Sequence, residues 1–383
     1  MRFTHMNVQN WRNFKDVQFP IEDRLFIVGP NAAGKSNLLD VFRFLTDIAR
    51  PGGGLAAAFA DRGGFSAVRS LFARNHRHGQ VSVTAHFSDD ADEWTYHLAV
   101  KGEQRGHHRA LVAEEVVTRN GEELLRRPDA SDEADPELLT QTHLEQITAN
   151  KSFRELAEHL QKTRYFHPVP QIIRNPGFFH ASGPRDPFGS DVIKQMNETA
   201  SRTRSAWLQK IENALQAAVP QFESLSVEPD ASGVPHLHAT YRNWRPAPTR
   251  QTESELSDGT LRLIGLLWTL VSAPSSGGVL LFEEPELSLN AGIVRTVPAL
   301  LARVQRDRDL QVLLSTHAPE LLDEETVLPE EVLVMRVTED GSTASLLSDI
   351  AEVRAEVDSG LPLSEIVQSL IEPVAARQLA LRL

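Results

Sequence analysis

Apolar and polar positions alternate over residues 3–8, the period of a half-buried strand, and a second apolar stretch, Leu25-Phe26-Ile27-Val28, ends at a glycine. Leu38, Leu39, Val41, Phe42 and Leu45 then recur at helical spacing, up to Pro51-Gly52-Gly53-Gly54, which cannot continue a helix. Over residues 80–127 the two-residue period returns. Val81, Val83, Ala85 and Phe87 alternate with polar residues, and so do Trp94, Tyr96, Leu98 and Val100. Asn120-Gly121, after Val116-Val117, is a strong hairpin signal. This region predicts an antiparallel β subdomain. Residues 128–136 are small and acidic, the composition of a surface linker.

Residues 137–163 have a helical pattern, and Tyr165-Phe166 predicts a short strand. The proline- and glycine-rich stretch 168–189 reads as an ordered loop, 191–218 as one or two amphipathic helices, and 222–242 as a hairpin around Gly233. Beyond residue 256 the chain changes character. A helix (259–272), an apolar strand (279–282), a helix (291–306), an apolar strand (310–314) and a β region (331–347) follow in turn. Short apolar strands alternating with helices predict a buried, largely parallel sheet. No long heptad run points to a coiled-coil arm.

Composition narrows the classes. The formal charge of −13 disfavours whole-surface binding to nucleic acid. Local basic clusters remain (Arg69, Arg74 and Arg77 with His76 and His78; Arg202, Arg204 and Lys210; Arg242, Arg245 and Arg250), and their plainer reading is solvated surface charge. The absence of cysteine excludes disulfides, thiolate metal sites and cysteine nucleophiles. The longest apolar run, 261–271, is interrupted by Arg262 and is too short to span a membrane. The first six residues lack the apolar core of a secretory signal, so a cytoplasmic address is expected. His76, His78, His107 and His108 are too loosely spaced for a metal site and read as surface residues.

Candidate chemistry begins at Gly29-Pro30-Asn31-Ala32-Ala33-Gly34-Lys35-Ser36-Asn37, after a strand and at the start of a helix. The octet 29–36 fits G-x-x-x-x-G-K-[ST]. Its glycines let backbone N–H groups converge on phosphate oxygens, and the helix N-terminus adds positive potential. Lys35 can reach the β- and γ-phosphates, and Ser36 can ligate Mg²⁺. A second element, Val279-Leu280-Leu281-Phe282-Glu283-Glu284-Pro285-Glu286, delivers two carboxylates to the C-terminal end of an apolar strand, where open α/β sheets bind ligands. Glu283 can hold Mg²⁺ and Glu284 can orient the attacking water. On a third strand, Ser315-Thr316-His317 places a histidine that can hydrogen-bond the γ-phosphate or that water. A fourth, Leu256-Ser257-Asp258-Gly259-Thr260, caps a helix with Ser257 or Asp258 and offers a second anion site.

In this order, P-loop, Ser-x-Gly helix, Glu-Glu-Pro strand and Ser-Thr-His, the chain resembles the ABC ATPase superfamily. It is most similar to the soluble branch containing SMC, RecF and OLD-type proteins and the predicted bacterial ATPases grouped with them. Val8-Gln9-Asn10-Trp11-Arg12-Asn13-Phe14 running into Val28-Gly29-Pro30-Asn31, Glu284-Pro285-Glu286-Leu287-Ser288-Leu289-Asn290 and Ser315-Thr316-His317-Ala318-Pro319-Glu320-Leu321 carry that likeness. The specific motifs cover about residues 1–70 and 250–340.

The resemblance implies an α/β ABC ATPase head: a P-loop NTPase with a mostly parallel central sheet, an antiparallel β subdomain and a helical insertion. It implies an N-terminal lobe over 1–127, an insertion over 128–250, a C-terminal lobe over 251–347 and a helical tail over 348–383. It implies ATP and Mg²⁺ as cofactors. Residues 29–37 become the nucleotide cradle, with Ser36 and Glu283 toward the metal and Lys35, Glu284 and His317 as catalytic groups. Arg12 and Phe14 flank the adenine or ribose. Ser257 and Gly259 meet the γ-phosphate held by a partner subunit, and residues 288–290 form the D-loop of an ATP-dependent homodimer. Glu283 stands where Asp is usual, Asp258 where Gly is commoner, Thr260 where Gln is frequent and Asn290 where Asp is expected. Gln171, Gln146 and Gln141 are all candidates for the Q-loop glutamine.

Three functions fit. The first is an ATPase whose head dimerisation controls DNA or a DNA-acting partner, in repair, chromosome maintenance or antiviral defence. A nuclease or other effector would be a separate protein, since the tail after residue 348 is too short for one. The second is an ATP-sensing scaffold with little turnover, which Glu283 keeps open. The third, a transporter energising subunit, is disfavoured by the long stretch between Ser36 and Ser257 and by the opening motif; no membrane partner is expected.

Overall fold

The computed structural model describes residues 1–70, 72, 79–89, 91–103, 108–178, 186–244, 247–274 and 277–372. The chain divides into two compact units. One comprises Met1–Arg164, Ser276–Leu281 and Asp309–Leu383, and the other Tyr165–Ser275 and Phe282–Arg308.

The first unit contains an antiparallel sheet in the order Phe14–Pro20, Arg2–Trp11, Val81–Ser88, Glu93–Gly102, Ala110–Arg119 and Glu122–Arg127. Strand alternation sets its buried face: Val81, Val83, Ala85 and Phe87 lie inside, and the residues between them are half-exposed. In the first strand Phe3 and Met6 are both buried although three apart, because the ladder shifts register between Phe3 and His5. Asn120 and Gly121 both take positive φ (51° and 79°), as a tight hairpin turn requires.

The second sheet of this unit places Arg24–Val28 between Leu310–Ser315 and Val332–Thr338, parallel to both, with Gly341–Leu346 antiparallel at one edge. Gly278–Glu283 lies beyond Leu310–Ser315 and passes into the second unit after Leu281. Residues 24–28 and 310–315 are buried throughout, the signature of strands covered on both faces. Helix Lys35–Ala49 follows the central strand and buries Leu38, Leu39, Phe42 and Leu45.

The second unit holds a three-stranded sheet, Phe222–Pro229, Pro235–Tyr241 and Thr249–Thr252, with helices that include Val192–Glu198, Ser201–Ala218 and Asp258–Ser272. Residues 261–270 of the last helix are all buried, mostly apolar with Arg262 and Thr269 among them, so it is covered on every side and runs through the core of this unit. Trp268 meets Trp207 edge-on at 5.4 Å.

Three sequence expectations need correction. Residues 128–136 are not merely a linker. Asp129 caps a short helix, Ala130–Ala134, and Asp132 is buried against Arg127. The expected helix over 291–306 is broken into Ala291–Val294 and Val297–Arg308. Pro298 lacks an N–H and its ring would clash with the Val294 carbonyl in a continuous helix. The strand Thr249–Thr252 was not expected, since Thr-Arg-Gln-Thr shows no apolar alternation. Among the described residues no helix is long and apolar enough to cross a membrane.

Candidate functional site

In the first unit the loop 29–36 joins the buried strand Arg24–Val28 to the helix Lys35–Ala49. Gly34 sits at the helix N-cap with φ 95°, and no side chain caps that end. The first-turn N–H groups of a helix have no partner within it, so they face the loop as anion donors. Two glycines are required by close approach. A Cβ on Gly29 would lie 2.8 Å from the Met335 carbonyl oxygen, and one on Gly34 would lie 2.2 Å from Asn13 Nδ2.

Lys35 is buried, and its ammonium is aimed back along the loop. Nζ donates to the carbonyl oxygens of Gly29 (2.9 Å) and Pro30 (3.4 Å) and lies 3.3 Å from His317 Nδ1. An ammonium that donates to neutral carbonyl oxygens can exchange them for the stronger, charge-assisted contacts of phosphate oxygens. His317 follows the buried strand Leu310–Ser315 and is exposed, as are Asn31, Ala32 and Ser36. Ala32 has φ 65°, and Ala33 N–H donates to the Pro30 carbonyl at 3.2 Å, which closes the turn.

Asn13 holds this loop from behind. Its Nδ2 donates to the Ala33 carbonyl (2.9 Å) and to Ser342 Oγ (2.7 Å), and its Oδ1 accepts from Asn37 Nδ2 (2.7 Å). Its carbonyl accepts the Ser342 N–H at 2.9 Å. Neither Asn13 nor Ser342 was singled out from sequence as a site residue. Arg12, at φ 48°, donates to Asp40 Oδ2 at 3.1 Å, and Asp40 also takes Arg62. Phe14 corrects an expectation. Its side chain is fully buried, so it presents no surface to a base.

In the second unit Glu283 ends the strand Gly278–Glu283. Tyr165 Oη donates to Glu283 Oε2, and His167 Nδ1 lies 3.0 Å from the Glu283 carbonyl oxygen. A carboxylate offers two oxygens with several lone-pair sites and accepts a phenol without losing its charge, so Glu283 is an oxygen donor of the kind that suits Mg²⁺ or its water shell. Glu284 takes φ 45°, a left-handed backbone that costs energy for any residue with a Cβ and clusters at functional sites. Its carbonyl oxygen accepts from Arg262 Nη1 at 3.3 Å. Arg262 is buried; burial lowers its guanidinium from the ordinary value, against the opposing charges of Glu286, Glu284 and Asp258. Sequence patterns gave no signal for Tyr165, His167 or Arg262 in these positions.

Ser257 is the N-cap of Asp258–Ser272, its Oγ accepting the Thr260 N–H at 3.2 Å. Gly259 packs against the loop after the two acids. A Cβ there would lie 2.5 Å from the Ser288 carbonyl oxygen, and Ser288 itself has φ 65°. Asn290 caps the next short helix, accepting the Ile293 N–H at 3.0 Å. Among the three glutamines, Gln171 Nε2 donates to Asp258 Oδ2 (3.1 Å), whereas Gln146 and Gln141 bond to each other.

Arg250 pairs with Glu228 at 2.6 Å, and Arg204 donates to the Asn197 carbonyl. Arg74, His76, Arg77, His78, His107 and Arg245 lie outside the described residues.

Residues 25–323 match the family described as "AAA domain, putative AbiEii toxin, Type IV TA system". No curated protein matches the chain. Among solved structures, an SMC head bound to the C-terminal winged-helix domain of ScpA is similar, with a TM-score of 0.53 at 15% identity, over 90% of this chain and 98% of that one. An SMC head domain from Thermotoga maritima aligns at 16% identity over 90% of this chain and 99% of that one, with a TM-score of 0.48. At such identities the first likeness is one of fold.

Proposed function

Because the chain belongs to this AAA-domain family, and is an ATPase of the ABC type with an SMC-head-like fold, we propose that it hydrolyses Mg-ATP between two copies of itself. The observation that carries the reading is the seating of Lys35. Its ammonium, buried against the Gly29 and Pro30 carbonyls beside His317, stands at the open N-terminus of a fifteen-residue helix.

Residues 29–37 bind the triphosphate through backbone N–H groups, and Lys35 moves from its carbonyl partners to the β- and γ-phosphate oxygens. Mg²⁺, when bound, neutralises phosphate charge in the transition state. Ser36 and Glu283 hold it, and Tyr165 restrains the longer Glu283 side chain. Glu284 orients and polarises the attacking water. His317, beside Lys35, turns to the γ-phosphate or that water and so reports whether the phosphate is present. Ser257 and Gly259 offer their helix N-terminus to the γ-phosphate held by the second copy. Arg12 lies toward the nucleotide edge of the loop, while Phe14 serves the core.

The closing and opening of such a dimer would act on DNA or on a DNA-acting partner, in repair, chromosome maintenance or antiviral defence. The SMC-like fold supports that reading. We propose a nuclease or other effector protein as a partner, and the cytoplasm as the setting. Mass in solution with and without Mg-ATP tests the core of it. With Glu284→Gln to slow hydrolysis, we expect an ATP-dependent dimer that Lys35→Ala cannot form. An unchanged mass despite bound ATP would refute the head-to-head mechanism for the isolated chain.

The hold of Tyr165 on Glu283 favours one second reading, an ATP sensor with little turnover. Tight nucleotide binding and ATP-induced dimers with negligible phosphate release would single it out.

A further inference from the structure

Asp258 poses an electrostatic problem. It occupies the first turn of the helix Asp258–Ser272, between Ser257 and Gly259. A carboxylate there is attracted by the same positive N-terminal potential that would attract a phosphate, and it repels one. The second unit contains an answer. The short helix Pro170–Arg174 carries two donors onto this carboxylate. Arg174 Nη2 lies 2.6 Å from Asp258 Oδ1, and Gln171 Nε2 donates to Oδ2 at 3.1 Å. The Arg174 Nη2 also donates to the Leu256 carbonyl at 2.6 Å, directly ahead of the Ser257 cap. The Arg174 side chain is mostly buried, at 19% exposure, while that of Asp258 is 40% exposed. The guanidinium is therefore fixed and the carboxylate is held in place by it.

We propose that Arg174 is the positioning residue of the Ser257–Gly259 turn: it neutralises Asp258 and pins the Leu256 carbonyl, so that the helix N-terminus can accept an anion despite its own carboxylate. Gln171 supports the same carboxylate without adding charge. The inference rests on the reading that Ser257 and Gly259 meet a phosphate from the second copy. It gives the departure at position 258 a reason and assigns Arg174 a role that no motif announces.

The test is a double-mutant cycle on the full chain, reading steady-state ATPase, binding of a fluorescent ATP analogue and thermal melting. Arg174→Ala should lower kcat about tenfold, the effect of losing one charge-assisted contact in the transition state, with analogue affinity unchanged. Arg174→Lys should recover part of that loss. In an Asp258→Gly background, which removes the charge to be neutralised and leaves only the Leu256 contact, Arg174→Ala should lower kcat by no more than about threefold. Equal loss in both backgrounds would overturn charge neutralisation, as would full activity of Arg174→Ala at an unchanged melting temperature. Ser257→Arg separates the two levels of argument. If it leaves turnover and ATP-dependent mass intact, the phosphate role of the turn is wrong. If it abolishes them while Arg174→Ala is silent, only the role of Arg174 falls.

Discussion

Lys35 Nζ lies 3.3 Å from His317 Nδ1. An ammonium has no acceptor capacity, so in a hydrogen bond between these two atoms Lys35 donates and the imidazole nitrogen accepts. One residue thus ties the phosphate loop to the strand that ends in Ser315. The two should separate on substitution. Lys35→Ala should abolish detectable nucleotide binding, because the charge that offsets the phosphates is gone. His317→Ala should leave affinity within about threefold and lower kcat about a hundredfold, the middle of the range for a positioned proton-handling group. Equilibrium binding and steady-state kinetics on both variants decide it; equal loss of affinity in the two would refute the division of roles.

Asn13 should matter as much as the loop it supports. It bridges Ala33, Asn37 and Ser342 with three side-chain hydrogen bonds. Asn13→Ala leaves the Asn37 amide and the Ala33 carbonyl without these partners, which costs about 1–3 kcal/mol for each group that water cannot reach. We expect a lower melting temperature and weaker ATP binding together. Gly34→Ala should be worse than its small volume suggests, since it adds left-handed strain of about 1–2 kcal/mol to a clash with the Asn13 amide. In an Asn13→Ala background the clash should vanish and the strain remain, so the two losses should be less than additive.

These two residues mark the limit of what the sequence made legible. The octet 29–36 could be read because its chemistry is local: turn, donors and helix start are contiguous. The buried strands before Gly29, Glu283 and Ser315 could be read for the same reason. Asn13 and Ser342 lie 329 positions apart, and only the fold brings them together. Tyr165 and Glu283 meet across 118 positions in the same way. Phe14 misled because its motif neighbourhood suggested a ligand contact, and because it stands three residues before Val17, out of phase with the Val17 and Phe19 alternation, so the two-residue period gave no sign of its burial. The stretch 128–136 misled because acidic composition reads as solvated until a buried arginine, Arg127, takes Asp132.

Gly259→Ala should inactivate through packing rather than through lost chemistry. Its Cβ would meet the Ser288 carbonyl oxygen at 2.5 Å, and that oxygen is backbone in a residue already at φ 65°. Either the Ser257–Gly259 turn or the loop 284–290 must shift. We expect ATP binding to persist and turnover to fall at least tenfold. Wild-type turnover from this variant would show that the turn's fit against Ser288 is not needed for hydrolysis.

The pH dependence of stability should carry the mark of His159. This histidine is 6% exposed, packs against Phe3 and Phe87, and its Nε2 makes no hydrogen bond among the described residues. Burial lowers its pKa from 6.5 to about 3. The folded protein therefore keeps it neutral where the unfolded chain protonates it. Above pH 6.5 neither state binds the proton and the native packing is fully stable. As pH falls from 6.5 toward 3, the unfolded state gains a proton the native state refuses, and stability drops by up to about 1.4 kcal/mol per pH unit. At pH 5 the loss from this one group is about 2 kcal/mol. His159→Leu keeps the apolar contacts and removes the titration, so its stability should fall less between pH 7 and pH 5 than that of the wild type. Denaturant unfolding at the two pH values measures this directly, and parallel losses in both proteins would remove His159 as the cause.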